Sequence, residues 1–281
     1  MSAAVFPSEP CGLQRARGEV RLAFRRRGPA TALAVLHQAG CLKARLPRPS
    51  RLGWAEAVLL NSSGGVAGGD TLDCTVTAEA GAQVTVCGQA AERYYRAREA
   101  DAPARVRNSL LVAAGSTLEW LPQDSILFDG AALDRRLEIA IAGDARLLAV
   151  ESLVFGRKAM GEVVRRGRLR DTIRLVRDGR LLLHDALRLE GDMAAALDHA
   201  AVGGGARAAA TVLRVAPGVG AVLDAARAAL SIAGVEAGAS CRDGMLIARV
   251  LAPDGAALRH AVVALLAVLR DGAALPRIWA V

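Results

Sequence analysis

Residues 71–88 read TLDCTVTAEAGAQVTVCG, and their period decides the class of fold. Leu72, Cys74, Val76 and Ala78 fall on one side, with Asp73, Thr75, Thr77 and Glu79 on the other. Alternation with a period of two is the pattern of a half-buried strand. Ala80-Gly81-Ala82 turns the chain, and Val84, Val86 and Gly88 resume the period, so a β-hairpin is expected here.

Similar units lie on either side. Residues 19–24 alternate, and 55–60 (AEAVLL) form a short apolar run suited to a buried strand. Strand patterns at 105–112 and 117–121 flank a turn at 114–116, and those at 135–142 and 146–152 flank Gly143-Asp144. Patterns at 163–176 and 180–189 meet at Arg177-Asp178-Gly179, whose Asp-Gly is a favoured hairpin turn.

The last third changes period. Val219, Val222, Leu223, Ala226, Leu230 and Ala233 keep helical spacing, as do Leu258, Ala261, Val262, Leu265, Leu266 and Leu269. Asp254 is placed to cap the second helix and Gly272 to stop it. Residues 235–239 and 245–251 read as strands between the two helices. No repeat of fixed length and no Pro-, Gly- or Ser-rich linker divides the chain. The expected fold is mainly β: a large body of stacked, mostly antiparallel sheets with two helices near the C-terminus. Residues 1–18 are expected to be a flexible lead-in, and 19–281 one domain.

Composition narrows the functional classes. An apolar share of 53% and a mean hydropathy of +0.28 exclude a disordered chain. No apolar run reaches the roughly 18 residues of a membrane span, and the N-terminus lacks a secretory pattern, so a cytoplasmic protein without membrane association is expected. The net charge of +8 raises nucleic acid as a partner. However, the basic clusters, Arg25-Arg26-Arg27 and 165–170 (RRGRLR), are short and carry no interleaved aromatics, and no nucleic-acid role is expected. Five cysteines without a C-x-x-C pair fit reduced thiols, with Cys74 and Cys87 at core positions.

The stretch preceding the opening strand, NSSGGVAGGDTL (61–72), contains G-x-x-x-x-G-D-T from Gly64, one residue short of a phosphate-binding loop. Asp70 stands where that loop needs Lys and would repel phosphate, and a strand follows where a helix is required. A nucleotide site is therefore not expected. The glycines still imply positive φ or the close approach of another backbone. Hydrolase elbows and H-E-x-x-H are absent, and His37, His184, His199 and His260 show no metal-ligand spacing. Five of the nine aromatics fall in three blocks that mix rings with charges: Tyr94 and Tyr95, Trp120 and Phe128, and Phe155 beside Arg157. These six residues are candidates for a partner interface; equally, the rings can fill a core whose other residues are small.

NSSGGVAGGDTL, the alternating strand after it and ERYYR (92–96) together resemble the UreD family of urease accessory proteins, called UreH in some bacteria. EWLPQDSILFDGA (119–131), ESLVFGRKAMGE (151–162) and LPRIW (275–279) look like the same family in the same order. The resemblance spans roughly residue 19 to the C-terminus. It departs at Asp124, where Glu is common in the family, and in the N-terminal segment.

The resemblance implies a non-enzymatic protein of mostly β fold that binds the urease apoprotein. It also implies assembly with UreF and with UreG, a GTPase that supplies nickel. The cargo is nickel in transit to the urease active site, with no tightly bound cofactor. Family members are thought to pass nickel through an internal, water-filled route, which calls for weakly holding oxygen ligands. Asp70, Glu119, Asp124 and Glu151 lie in the matching blocks and are the candidate carboxylates of such a route. They can instead cap turns or pair with Arg93, Arg96 and Arg157. The alternative from another class is a β-rich enzyme that acts on an anionic or sugar substrate through these loop carboxylates.

Overall fold

The computed structural model describes residues 14–279. Its strands begin with β1 (Arg17–Arg27), β2 (Ala30–Gly40), β3 (Leu42–Arg45), β4 (Ala55–Asn61), β5 (Thr71–Ala78) and β6 (Gln83–Gly88). Next come β7 (Glu92–Tyr94), β8 (Ala104–Val112), β9 (Thr117–Leu121), β10 (Ser125–Leu127), β11 (Ala132–Ile141) and β12 (Arg146–Phe155). The last are β13 (Gly167–Arg177), β14 (Arg180–Gly191), β15 (Ala208–Val215), β16 (Glu236–Arg242) and β17 (Met245–Ala252). The helices are α1 (Met193–Asp198), α2 (Leu223–Ala229) and α3 (Gly255–Leu269).

The stretch 71–88 forms two strands but no hairpin. β5 lies between β1 and β8 in one sheet, parallel to both, and β6 lies between β4 and β9 in the other, again parallel. The turn carries the chain from one sheet to the facing one. Alternation states which side of a strand is apolar, and both arrangements satisfy it; only the partner strands tell a hairpin from such an arch.

The arch recurs twice more. Residues 79–82, 113–116 and 142–145 are closed by the same bond, from Ala82, Ser116 and Ala145 N–H to Glu79, Ala113 and Ala142 C=O at 2.9, 3.1 and 3.0 Å. Successive corners bond to one another, Ala113 N–H to Ala78 C=O and Ala142 N–H to Val112 C=O, each at 2.9 Å. The structural repeat is therefore real although its sequence length varies.

One sheet runs β14-β13-β11-β8-β5-β1-β2, and the other β16-β17-β15-β12-β9-β6-β4-β3, with β10 joining β12 to β7. The expectation of a mainly β chain with helices near the C-terminus holds, but the strand directions need correcting. Among the described residues nine pairings between named strands are parallel and six antiparallel. The stacked arches are the reason, because each returns to the same sheet in the same direction. The β13–β14 hairpin forms as expected, with Asp178 and Gly179 at φ of 49° and 79°.

Three layers result. Val20, Leu22, Phe24, Leu110 and Leu137 of the first sheet meet Val84, Val86, Trp120 and Leu147 of the second. The far face of the second sheet, with Leu148, Val150, Val212 and Leu246, packs on Ala226 of α2 and Leu258, Val262 and Leu265 of α3. Strands covered on both sides are buried at successive positions and not at alternate ones, which is what β12 shows from Leu147 to Leu153. Asp254 caps α3 by accepting from Ala257 N–H at 2.9 Å, and Gly272 follows at φ +73°. Strands β2, β3, β7, β10 and β15 and helix α1 were not expected. Of the expected lead-in, 1–13 lie outside the described residues, and Arg17 and Gly18 open β1.

The arch corners generate a test. Ala145 is buried in its corner, whereas Ala80 is exposed. Ala145→Leu is expected to lower unfolding free energy by about 1–3 kcal/mol through overpacking, and Ala80→Leu to leave it nearly unchanged. Urea denaturation of both variants measures the contrast, which a simple surface turn would not produce.

Candidate functional site

Three charged side chains occupy inward positions of otherwise apolar strand faces. On β11, Arg135 falls between Leu133 and Leu137; on β13, Asp171 falls between Leu169 and Ile173; on β12, Glu151 falls between Ala149 and Leu153. Arg135 and Asp171 are directly paired in the β11–β13 register. Their side chains meet between the sheets. Arg135 donates Nε–H to Asp171 Oδ1 at 2.8 Å and Nη2–H to Oδ2 at 2.7 Å. Nη1 lies 2.7 Å from Glu151 Oε2 and donates to Ser125 Oγ at 2.9 Å. Trp120 completes the cluster, donating Nε1–H to Glu151 Oε1 at 2.9 Å.

Burial pushes the Glu151 carboxyl above its ordinary range; Arg135 opposes this, and Asp171 adds to it. For Arg135 burial works against the cation, but Asp171 and Glu151 outweigh it and hold the guanidinium charged. The buried phenol of Tyr94, beside this cluster, is likewise pushed up by burial.

Two cavities adjoin the cluster. One of roughly 160 Å³ runs from Asn61, Gly64, Gly65 and Glu92 inward to Tyr94, Trp120, Ser125, Arg135 and Glu151. A second, roughly 60 Å³, is bounded by Glu151, Asp171, Asp185 and Thr211. Glu151 borders both. Glu92, at the outer end of the first, accepts from Asn61 Nδ2–H at 3.1 Å, and burial raises its carboxyl above the ordinary range. Among the described residues no group of three or more His, Cys, Asp or Glu is arranged to hold a metal ion.

The structure separates the four candidate carboxylates. Glu151 stands at the centre described above. Asp70 is buried with both oxygens engaged, accepting from Ala16 N–H at 2.8 Å and Ala67 N–H at 2.7 Å; it fastens the glycine loop to the start of β1. Glu119 faces the helical layer, on the opposite side of the second sheet from Glu151. Its oxygens accept from Arg270 at 2.9 Å, Arg51 at 2.8 Å and Thr85 Oγ at 2.8 Å. Asp124, half-buried before β10, has its carboxyl raised by burial against the pull of Arg259 and a Ser152 hydrogen bond.

The glycine loop is explained by close approach. Val66 N–H donates to Arg93 C=O and Tyr95 N–H to Val66 C=O, both at 2.8 Å. Gly65 has φ +144°, and a Cβ there would stand 2.2 Å from the Tyr95 ring. The loop therefore lies flat on β7 beside the mouth of the larger cavity.

The six interface candidates also divide. Tyr94, Trp120 and Phe155 are buried and correct to core residues, because in an alanine-rich interior large rings supply much of the apolar volume. Tyr95, Phe128 and Arg157 form one outer cluster. The Tyr95 and Phe128 rings meet edge-on at 5.0 Å, and the Arg157 guanidinium lies 4.2 Å from the Phe128 centroid. Met160 nearby is 72% exposed. Cys74 and Cys87 are buried as expected, and burial lifts the Cys74 thiol to about 12. Cys11 lies outside the described residues. Sequence reasoning missed Arg135 and Asp171, although each is a charge in the apolar phase of its strand.

Comparison with known proteins gives this geometry its context. Residues 16–280 match the family described as UreD urease accessory protein. A urease accessory protein UreD from Dinoroseobacter shibae is 47% identical over 268 residues, covering 95% of this chain and 93% of its own length. UreD proteins of Xanthobacter autotrophicus and a Methylobacterium strain are 46% and 44% identical, the latter over 99% of both chains. Such β-rich proteins are urease maturation factors and not enzymes, so the enzymatic alternative is set aside. The chain belongs to the UreD family of urease accessory proteins. Among the described residues no helix is long and apolar enough to cross a membrane.

Two outcomes follow from the buried charges. Glu119→Ala leaves the Arg270 side chain, 0% exposed, without its main counter-charge, and is expected to cost about 3–5 kcal/mol in urea denaturation. The Glu92 carboxyl is raised above its unfolded value, so its contribution to stability is full at low pH and lost as pH rises through the folded-state pKa. Thermal midpoints of Glu92→Gln and the parent should coincide near pH 4, and the variant should lead increasingly toward pH 7.

Proposed function

We propose that this chain binds the urease apoprotein, assembles with UreF- and UreG-type accessory proteins, and passes nickel between its two sheets toward urease. Family membership supports the maturation role. The observation that carries the route is Glu151, a carboxylate shared by two adjoining cavities in the inter-sheet space.

The chemistry supports transit over storage. Glu92, Glu151, Asp171 and Asp185 offer hard oxygen donors in succession along the cavities. Each is already bonded, to Asn61, Arg135, Arg135 and Arg249 respectively. Arg135 offsets one of the two charges of Glu151 and Asp171, leaving the centre with a net charge of −1. A divalent cation is attracted there but not trapped, as a His/Cys cage would trap it. Nickel is the cargo in this reading, and the route is a passage without a resident metal. The outer Tyr95–Phe128–Arg157 cluster, in which Tyr95 and Arg157 are exposed and Phe128 is half-buried, has the ring and guanidinium content of an interface anchor and is assigned to partner contact.

The test is production of urease together with Glu151→Gln or Asp171→Asn chains. The variants should still capture urease apoprotein, while nickel per urease active site, measured by mass spectrometry, falls below that supported by the parent. Full nickel loading in both variants would remove the route. Failure of the parent chain to form any complex with urease apoprotein, with accessory proteins, nickel and GTP supplied, would remove the partner assignment.

A further inference from the structure

The basic stretch RRGRLR (165–170) does not enter the inter-sheet site. It lies in a separate part of the surface with arginines from elsewhere in the chain. Three segments run side by side there: Ala97 N–H donates to Gly130 C=O at 2.9 Å, Gly130 N–H to Arg166 C=O at 2.7 Å, and Arg168 N–H to Ala131 C=O at 2.9 Å. They enclose an open cleft of roughly 500 Å³.

The floor and rims differ in kind. The floor is Gly130, Ala131, Ala132 and Gly167, with no side chain beyond a methyl. Glycine is favoured at Gly130, where φ is +83° and a Cβ would stand 2.7 Å from Arg96 Cγ. The rims carry exposed Arg96 and Arg98 on one side and Arg166 and Arg168 on the other, against the one carboxylate of Glu99. Asp129, behind the cleft, accepts from Arg165 N–H and Arg166 N–H at 2.9 Å and lies 3.1 Å from Arg96. Its Oδ1 is thus taken by the backbone, while its Oδ2 accepts from Arg96 Nη2; Arg168 Nη2 in turn donates to Asp101 C=O at 3.1 Å. The Arg166 side chain reaches Asp129 only at 3.9 Å.

We propose that this cleft binds a carboxylate-rich peptide segment of a partner protein. Arg98 and Arg166 on facing rims suit a row of carboxylates, each able to take a bidentate fork, and Arg96 and Arg168 add positive charge beside them while held by Asp129 and the Asp101 carbonyl. A smooth small-residue floor lets an extended backbone lie between them. A compact phosphate pocket would instead have a helix N-terminus or a nest of backbone N–H groups converging on one point. A single-stranded nucleic acid would use aromatic platforms, and the residues lining the cleft include no ring. The cleft is independent of the proposed nickel route and shares no lining residue with it.

Fluorescence anisotropy of a labelled hexaglutamate peptide with the full chain tests this assignment. Saturable binding that weakens as salt rises is expected. Arg98→Gln/Arg166→Gln should weaken it at least about tenfold, while Arg25→Gln/Arg27→Gln, at the exposed end of β1, should leave it unchanged. Equal loss in the two double variants, or no saturable binding by the parent, overturns the site. An oligothymidine or inorganic phosphate that displaces the peptide at lower concentration than unlabelled hexaglutamate overturns its assignment to a peptide. Should the first double variant show a lowered thermal midpoint, Arg98→Gln alone decides, by the same loss or its absence.

Discussion

The buried guanidinium of Arg135 is the constraint on which the two-sheet body depends. A cation taken from water into an apolar interior is costly, and the cost is met here only because two carboxylates and a hydroxyl converge on it. Asp171 comes from the neighbouring strand of the same sheet, Glu151 and Ser125 from the facing sheet. The contact therefore sets both the register of β11 against β13 and the spacing of the sheets at that level. A one-residue slip of either strand would turn its charge outward and leave the others unpaired in the core.

A second clamp holds the third layer. Arg270, just past α3, reaches Glu119 on β9, and Arg51 approaches the same carboxylate from the loop before β4. The second sheet is thus gripped on both faces, by apolar packing throughout and by one buried ion cluster on each side. Glu119 and Glu151 look equivalent in sequence, as carboxylates in neighbouring blocks. Their strand phases send them to opposite faces, where one anchors helices and the other borders the inter-sheet cavities. Their chemistry diverges for that geometric reason alone.

Glycine acts at the edges of this framework. At Gly65 it allows the loop to lie against β7, so backbone forms one side of the mouth of the larger cavity, beside the Asn61 and Glu92 side chains. Asp70, which looks like the flaw in a phosphate loop, secures that loop by accepting two backbone N–H groups. Its value is positional: truncating it to Ala would release the Ala16 and Ala67 N–H groups together.

Much of this was determined by the sequence alone. The period of two marks which residues of β5, β8 and β11 face inward, the period of 3.6 marks α3, and Asp254 and Gly272 bound it, because these are local properties of backbone geometry. The family blocks and the carboxylates within them were legible as well. Other elements gave a weaker local signal: β15 opens with three alanines, and β7 and β10 are three residues each. What only the tertiary structure decided is partnership. Residues 71–88 have the same alternation whether β6 folds back on β5 or crosses to the facing sheet, since both options bury the same side chains. Likewise, a carboxylate's place in the chain does not state which arginine it meets. Arg135 and Glu151 acquire their meaning from strands that are distant in sequence and brought together only when the arches stack.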